Sequence, residues 1–446
     1  MVPLPPLPLT RAARRAIARA GVAACLTLTA GACAAPKALA STGARPEAST
    51  GGTSVAGQAP VALTRSLNAG MRSAGSQSGA EVEDLSSGAT LYARRANVAR
   101  IPASVEKLYT TAAALERFGP TARLSTSLLG TGEQSGTAWK GTLYLRGGGD
   151  PTFGSAAFDQ RAYGTGATVQ GLVSDLRADG IRSVTGPIIA DASLFDSDEG
   201  TPATNNKPSI WVEGALSALA FNRDWADAEG EVYYANPPLQ AGNDLLAALR
   251  AGGITVRDKA VRTGVTPSAA RMLASVDSPT IATLIALTNT PSDDFFAEML
   301  LKEIGARYGS GGTTAAGAAV VRSTIAARFG LRPYLIDGSG LSYRDHTSPA
   351  QVVSLLSQMS EDLPFRESLA IVGETGTLVD ENRGTYAQGR CTGKSGTLSD
   401  VSNVVGYCCA ADGHLLAYAF LMNGVDPDAA HVIQDRMEVA VARYDG

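Results

Sequence analysis

At 446 residues the chain exceeds what one small core can organise, and about two to three domains are expected. Its 44% hydrophobic and 18% charged residues fit a globular protein in water. The net charge of −4 provides no basic field, which argues against a nucleic-acid partner.

The first 35 residues read as a signal peptide. Arg11, Arg14, Arg15 and Arg19 form a positive start, and Ala20 to Ala32 is apolar or small, the length of a leader core and short for a membrane span. Arg14-Arg15 is read as part of an ordinary basic start, not as a twin-arginine signal. Cleavage sites are available at Ala32-Cys33-Ala34 and Ala38-Leu39-Ala40. The alternative is lipidation of Cys33, although Ala30 stands where Leu would be expected. Either route predicts an exported, extracytoplasmic protein, secreted or anchored in the cell envelope. Residues 36–62 are rich in Ala, Ser, Thr, Gly and Pro without apolar periodicity and read as a flexible linker.

Folding is expected to begin near Val61. Gly79 to Asp84 and Thr90 to Ala93 read as strands around Ser86-Ser87-Gly88. Ile101-Pro102-Ala103 leads into a helix with Ser104 at its start, Leu108, Ala112 and Leu115 at helical spacing, and Gly119-Pro120 as its stop. From about 124 to 265 short strands and turns are expected, at Gly141 to Leu145, Val184 to Ile189 and Gly264 to Thr266, with a tight turn at Gly147 to Pro151 and a polar loop at 198–208. Asp244 to Ala251 reads as a helix, followed by helices at 279–288, 292–305 and 312–329. Lys394-Ser395 falls near a strand end. Val401 to Ala410 and His414 to Met422 read as antiparallel strands, and Pro427 to Tyr444 as a closing helix capped by Asp426. The outline is a mixed α+β domain (63–123 and 271–446) enclosing an inserted strand-rich region (124–270).

Outside the leader the cysteines are Cys391, Cys408 and Cys409. Across a hairpin turning near 399–400, Cys391 faces 408 or 409, so a disulfide bracing that hairpin is expected in an oxidising compartment. With three histidines (His346, His414, His431) and no C-x-x-C, neither a metal site, another cofactor nor a Ser-His-Asp triad is expected.

The candidate chemistry starts at Ser104-Val105-Glu106-Lys107. Serine needs a base within hydrogen-bond reach to act as a nucleophile, and positions i and i+3 share a helix face, so Lys107 can serve Ser104. A helix start also supplies N–H groups for a developing oxyanion. Alone, S-x-x-K is a weak signal. Ser292-Asp293-Asp294 opens a helix after Pro291, where a capping role is also available. Lys394-Ser395-Gly396-Thr397 offers a cation, hydroxyls and a Gly that admits a substrate backbone. A phosphate-binding P-loop is excluded there, because its leading Gly would fall at Gln388.

The ordered trio S-x-x-K, S-x-[ND], K-[ST]-G resembles penicillin-binding proteins and serine β-lactamases. The long gap from Ser104 to Ser292, with Leu143 to Thr152, Asp293 to Lys302, Asp337 to Ser342 and Gly376-Thr377-Leu378 with Arg383, is similar to class C low-molecular-mass penicillin-binding proteins, the D-alanyl-D-alanine carboxypeptidase/endopeptidases. The resemblance spans roughly 63 to 442. It implies a transpeptidase-like domain, an antiparallel sheet with helices on both faces. Ser104 would attack the D-Ala-D-Ala carbonyl of peptidoglycan stem peptides and would also react with β-lactams. Lys107 would be its base, Ser292 the proton relay to the leaving amine, and Lys394, Ser395 and Thr397 the seat of the terminal carboxylate. N–H groups of Ser104 and Thr397 would form the oxyanion hole. Two positions depart from the pattern. Ser395 replaces Thr and keeps the hydroxyl. Asp294 replaces Asn, cannot donate to the substrate while ionised, and can pair with Lys107 and keep it charged. A β-lactamase or esterase of the same fold, and a cell-wall-binding homologue impaired by Asp294, are the competing readings.

Overall fold

The computed structural model describes residues 61–446. The expected signal peptide with Cys25 and Cys33, and linker residues 36–60, lie outside the described residues. Residues 61 and 62, read as linker, instead open helix α1 (Val61–Ser73), whose Leu63, Leu67 and Met71 recur every fourth residue and are buried.

Strands β1 (Gly79–Asp84) and β2 (Ala89–Arg94) stand where the alternation placed them. A 3₁₀ turn, Ala103–Glu106, then precedes helix α2 (Lys107–Phe118), which ends at Gly119 with φ 80°. Strands β3 (Ser125–Ser135) and β4 (Ala138–Arg146) form a hairpin. Two unexpected helices follow, α3 (Ala156–Ala162) and α4 (Val169–Ala178), capped by the hydroxyls of Ser155 and Thr168. The strand expected over Val184 to Ile189 is two pieces, β5 (Ser183–Val184) and β6 (Ile188–Asp191), because Gly186-Pro187 lies between them and Pro has no N–H for a ladder.

Helix α5 (Pro237–Ala251) starts well before Asp244, where Asn236 caps a Pro-Pro first turn. Strands β7 (Thr255–Val256), β8 (Val261–Thr263) and β9 (Arg271–Asp277) complete the insertion, so the strand expected at 264–266 lies three residues too late. Helices α6 (Ile281–Asn289), α7 (Asp294–Tyr308) and α8 (Thr314–Phe329) match their expected positions. The short α9 (Pro349–Gln358) and α10 (Leu363–Glu367), each opened by a Pro in the first turn, were not anticipated. Strands β10 (Ala370–Ile371), β11 (Cys391–Leu398), β12 (Val401–Cys409) and β13 (Leu415–Asn423) lead to α11 (Pro427–Ala442), capped by Asp426.

The six-stranded sheet runs β10-β11-β12-β13-β1-β2 and is antiparallel throughout. Its period-2 alternation divides two cores. On β13, Leu415, Ala417, Ala419 and Leu421 face α2, α6, α7, α8 and α9. The intervening Leu416, Tyr418, Phe420 and Met422 face α1 and α11. Burial on both faces explains the nearly continuous apolar run of this strand. The seven-stranded sheet, β3 to β9, is mixed: β4-β3-β9 is antiparallel, while β5, β6, β7 and β8 join in parallel. It has its own core around Trp139, Leu172 and Leu245, to which α4 and α5 contribute, so the insertion is a strand-and-helix unit, not strands alone. Cys391 and Cys408 are register partners on β11 and β12 and form a disulfide.

Candidate active site

Ser104 lies in the 3₁₀ turn and not in the α-helix that its spacing suggested, and Lys107 is the first residue of α2. The i, i+3 relation survives this difference. Lys107 Nζ donates to Ser104 Oγ at 2.9 Å. The turn is held from outside. Asn403 Nδ2 donates to the carbonyls of Ile101 and Pro102 at 3.0 and 2.7 Å, and Asn423 Oδ1 accepts from Ile101 N at 2.8 Å. Ala103 enters with φ 47°, a costly backbone for a residue with a Cβ. A side chain at Gly340 would run into the carbonyl of this same Ala103.

Lys107 is fully buried, and an ammonium has three protons to place. The other two go to Asp294 Oδ1 and to the Ser339 carbonyl at 2.8 Å. Asp294 stands in the first turn of α7. Burial raises its pKa, Lys107 works to lower it, and Asp293 and Asp337 raise it further. Ser292 is not the cap of α7. Asp293 is, accepting from Phe296 N at 3.0 Å, while Ser292 precedes it in the left-handed region at φ 66°.

Beneath Lys107 is a floor of buried carboxyls. Glu298 accepts from Gly338 N and Ser339 N, both at 2.9 Å, and thereby sets the carbonyl that Lys107 uses. Asp337 accepts from Gly340 N and Ser342 N at 2.8 Å with its two oxygens. Asp345 Oδ1 accepts from Ile336 N, and the Asp345 and Asp337 carboxyls interact. Burial first, then Asp337 and Glu106, push the Asp345 pKa to about 11, so Asp345 carries the proton between the two. Glu106, inside the S-x-x-K tetrad, is also fully buried and raised, by burial, Asp337 and Glu298.

Lys394, Ser395, Gly396 and Thr397 lie in the middle of β11, not at its end. Lys394 is buried and donates to the Ser395 carbonyl at 2.8 Å. Burial, and then Lys107, depress its pKa well below the usual lysine value, with Asp294 acting the other way. Ser395 Oγ donates to Thr377 Oγ1 at 2.8 Å, which joins the Gly376-Thr377-Leu378 segment to this strand. Gly396 also has a packing role. A Cβ there would lie 2.7 Å from Pro102 O and 3.0 Å from Ser104 N and Val105 N, so the missing side chain makes room for the Ser104 turn itself.

Ser104, Lys107 and Asp294 thus form one contact group, Lys394 interacts electrostatically with Lys107 and Asp294, and Gly396 abuts Ser104. Among the supporting residues, Ser339, Glu298 and Thr377 lay within the segments that carried the resemblance. Glu106, Asp345, Asn403 and Asn423 carried no separate signal. Two buried cations tie the insertion to α7. Lys302 reaches Asp196 Oδ1 at 2.7 Å and the Asp198 carbonyl, and Arg223 reaches Asp293 Oδ2.

Known proteins resemble this chain in sequence and in fold. A D-alanyl-D-alanine carboxypeptidase of Actinomadura sp. is 28% identical over 457 residues, covering 83% of this chain and 82% of the relative. Carboxypeptidase DacB of Mycolicibacterium smegmatis is 27% identical over 374 residues, covering 78% and 76%. The structure of penicillin-binding protein 4 from Haemophilus influenzae superposes with a TM-score of 0.68 at 19% identity, covering 85% of this chain and 99% of that one. A predatory peptidoglycan endopeptidase of Bdellovibrio bacteriovorus has the same fold at a TM-score of 0.51 and 16% identity, covering 81% and 90%. The sequence matches the D-Ala-D-Ala carboxypeptidase 3 (S13) family over residues 63–213 and 204–444, and the chain belongs to that family, as a serine-type D-Ala-D-Ala carboxypeptidase.

Proposed function

We propose that Ser104 is the nucleophile of this carboxypeptidase and that its substrates are peptidoglycan stem peptides ending in D-Ala-D-Ala. The observation that carries this reading is the hydrogen bond from Lys107 Nζ to Ser104 Oγ. For Lys107 to accept the Ser104 proton it must first be neutral. The Asp294 carboxylate paired with it favours the charged form, so this pairing governs how readily Ser104 is activated. Ser104 Oγ then bonds to the carbonyl carbon while its proton passes to Lys107. Ser292 relays a proton to the departing amine, the C–N bond breaks, and D-Ala leaves. Water hydrolyses the acyl-enzyme. Lys394, Ser395 and Thr397 hold the terminal carboxylate, and N–H groups of Ser104 and Thr397 receive the oxyanion.

β-Lactams enter the same reaction and stop at the acyl-enzyme. The substrate places the protein outside the cytoplasmic membrane. A cleaved leader ending near residue 35 fits this, and lipidation of Cys33 is the alternative that the mass of the mature protein decides. The proposed domain division is supported by the two separate sheets, and because β9 pairs with β3 the inserted unit is extended from 124–270 to about 124–277.

The test pairs labelling by fluorescent penicillin with D-Ala release from a stem pentapeptide and cleavage of a cross-linked dimer. Stable label together with D-Ala release, both lost in Ser104→Ala, supports the reading, and cleavage of the dimer adds endopeptidase activity. Rapid loss of label without D-Ala release would make the chain a β-lactamase. Absence of label would leave it a wall-binding homologue.

A further inference from the structure

We propose that Arg223, supplied by the insertion, is a positioning residue for the reaction and acts through Asp293 on Ser292. The inference rests on the role given to Ser292 above.

The backbone that delivers Arg223 is strained. Asn222, Arg223 and Asp224 have φ of 51°, 58° and 59°, three consecutive left-handed residues, none of them glycine. Such residues persist only where their surroundings enforce them. Here the enforcement is visible. Asn222 N donates to Phe153 O at 3.1 Å, Asn222 Oδ1 accepts from Ser155 N at 2.9 Å, and Asp224 N donates to Phe221 O at 2.8 Å. These bonds turn the Arg223 side chain out of the insertion and onto the start of α7.

There the guanidinium is enclosed. It lies 5.2 to 5.8 Å from the ring centres of Tyr163, Trp225, Phe295 and Phe296, and Arg223 is 6% exposed. Its donors are directed: Nε to the Tyr163 hydroxyl at 2.7 Å, Nη1 towards Glu213 Oε2 at 3.5 Å, and Nη2 to Asp293 Oδ2. A planar guanidinium in an aromatic cage has little freedom, so its carboxylate partner is fixed as well. Asp293 spends its other oxygen capping Phe296 N. With both oxygens committed, Asp293 sets the peptide planes on either side of it. One neighbour is Ser292, itself in a left-handed backbone, and the other is Asp294 on Lys107.

The test is a double-mutant cycle on the full chain, reading benzylpenicillin acylation and D-Ala release. Arg223→Met is expected to lower both rates about tenfold or more, with KM changed less than about threefold, because the loss falls on the chemical step. Arg223→Lys, which keeps the charge but not the fork, should recover part of the rate. In a Ser292→Ala background Arg223→Met should change the residual acylation rate less than about twofold, since a residue acting through Ser292 has nothing left to position. Equal fold-losses in the two backgrounds would overturn the inference and leave the function of Ser292 intact. Unchanged rates in Ser292→Ala alone would overturn both. If Arg223→Met does not fold, Asp293→Asn, which keeps the cap and loses the ion pair, goes through the same cycle with the same expected outcomes.

Discussion

Lys107 has three protons and three acceptors: Ser104 Oγ, the Ser339 carbonyl and Asp294 Oδ1. All three favour the ammonium, which cannot act as a base, and an ionised Asp294 favours it most. Substituting Asp294→Asn keeps an acceptor oxygen for Lys107 and adds an amide donor that a substrate carbonyl can use. The expected outcome is penicillin acylation faster by about tenfold, the scale on which general-base catalysis responds to protonation state, measured by stopped flow. A tenfold fall would instead show that the Asp294 carboxyl takes the proton from Lys107 in the working cycle. The sequence made Ser104, Lys107 and Asp294 legible because spacing and order carry them. It could not show the Ser339 carbonyl, which every residue type provides equally. Nor could it show Asn403, whose target carbonyls at Ile101 and Pro102 lie some three hundred positions away and meet it only when β12 packs against the turn.

The contact between β11 and the 3₁₀ turn belongs to elements, and it hangs on one absent side chain. Gly396→Ala places a carbon 2.7 Å from Pro102 O and 3.0 Å from Ser104 N, both backbone atoms that a rotamer change cannot relieve. The strand or the turn must move by several tenths of an ångström, enough to spoil a reacting geometry and too little to unfold a sheet of six strands. Acylation should fall about a hundredfold or more while the melting temperature drops by only a few degrees. An active Gly396→Ala variant would show that the two elements are not in register during the reaction. The elements themselves were unequally legible. Strands β12 and β13 were legible from runs rich in apolar residues, α7 and α8 from their length of 15 and 16 residues, and α2 from apolar residues at helical spacing. Helices α3, α4, α9 and α10 are short, and only a capping hydroxyl or carboxylate with a few apolar positions marks each one. The split between β5 and β6 was written in Gly186-Pro187, read as strand because its flanks are apolar.

Across the whole molecule, a formal charge of −4 counts every carboxylate as ionised, and the fold contradicts that count. Burial is the leading cause that raises Asp150 to about 7, Asp159 to about 8, Glu298 to about 8 and Glu438 to about 7. Asp345, at about 11, belongs to the same set. Between an unfolded value near pH 4 and these folded values, the native chain binds more protons than the unfolded one, so stability falls as pH rises. The contribution is complete below about pH 4 and is lost as pH passes through 7 to 8 for most of these groups. Asp84 and Asp191 act in the opposite sense. Although burial would raise both, hydrogen bonds from Ser87 and Ser86, and from Ser193 and Thr266, lower them, so their contribution is present above about pH 4 and lost in stronger acid. The melting temperature should therefore be highest near about pH 5 and fall by several degrees towards about pH 9. Asp159 isolates the cause. Neither of its carboxyl oxygens has a hydrogen-bond partner among the described residues, and Asp150 raises it further. Asp159→Asn has the same shape and no charge to bury, so its melting temperature should decline less over the same range and overtake the parent's at the alkaline end. Scanning calorimetry of both proteins decides it: parallel declines would mean that Asp159 is ionised in the folded chain and that its burial is relieved by water.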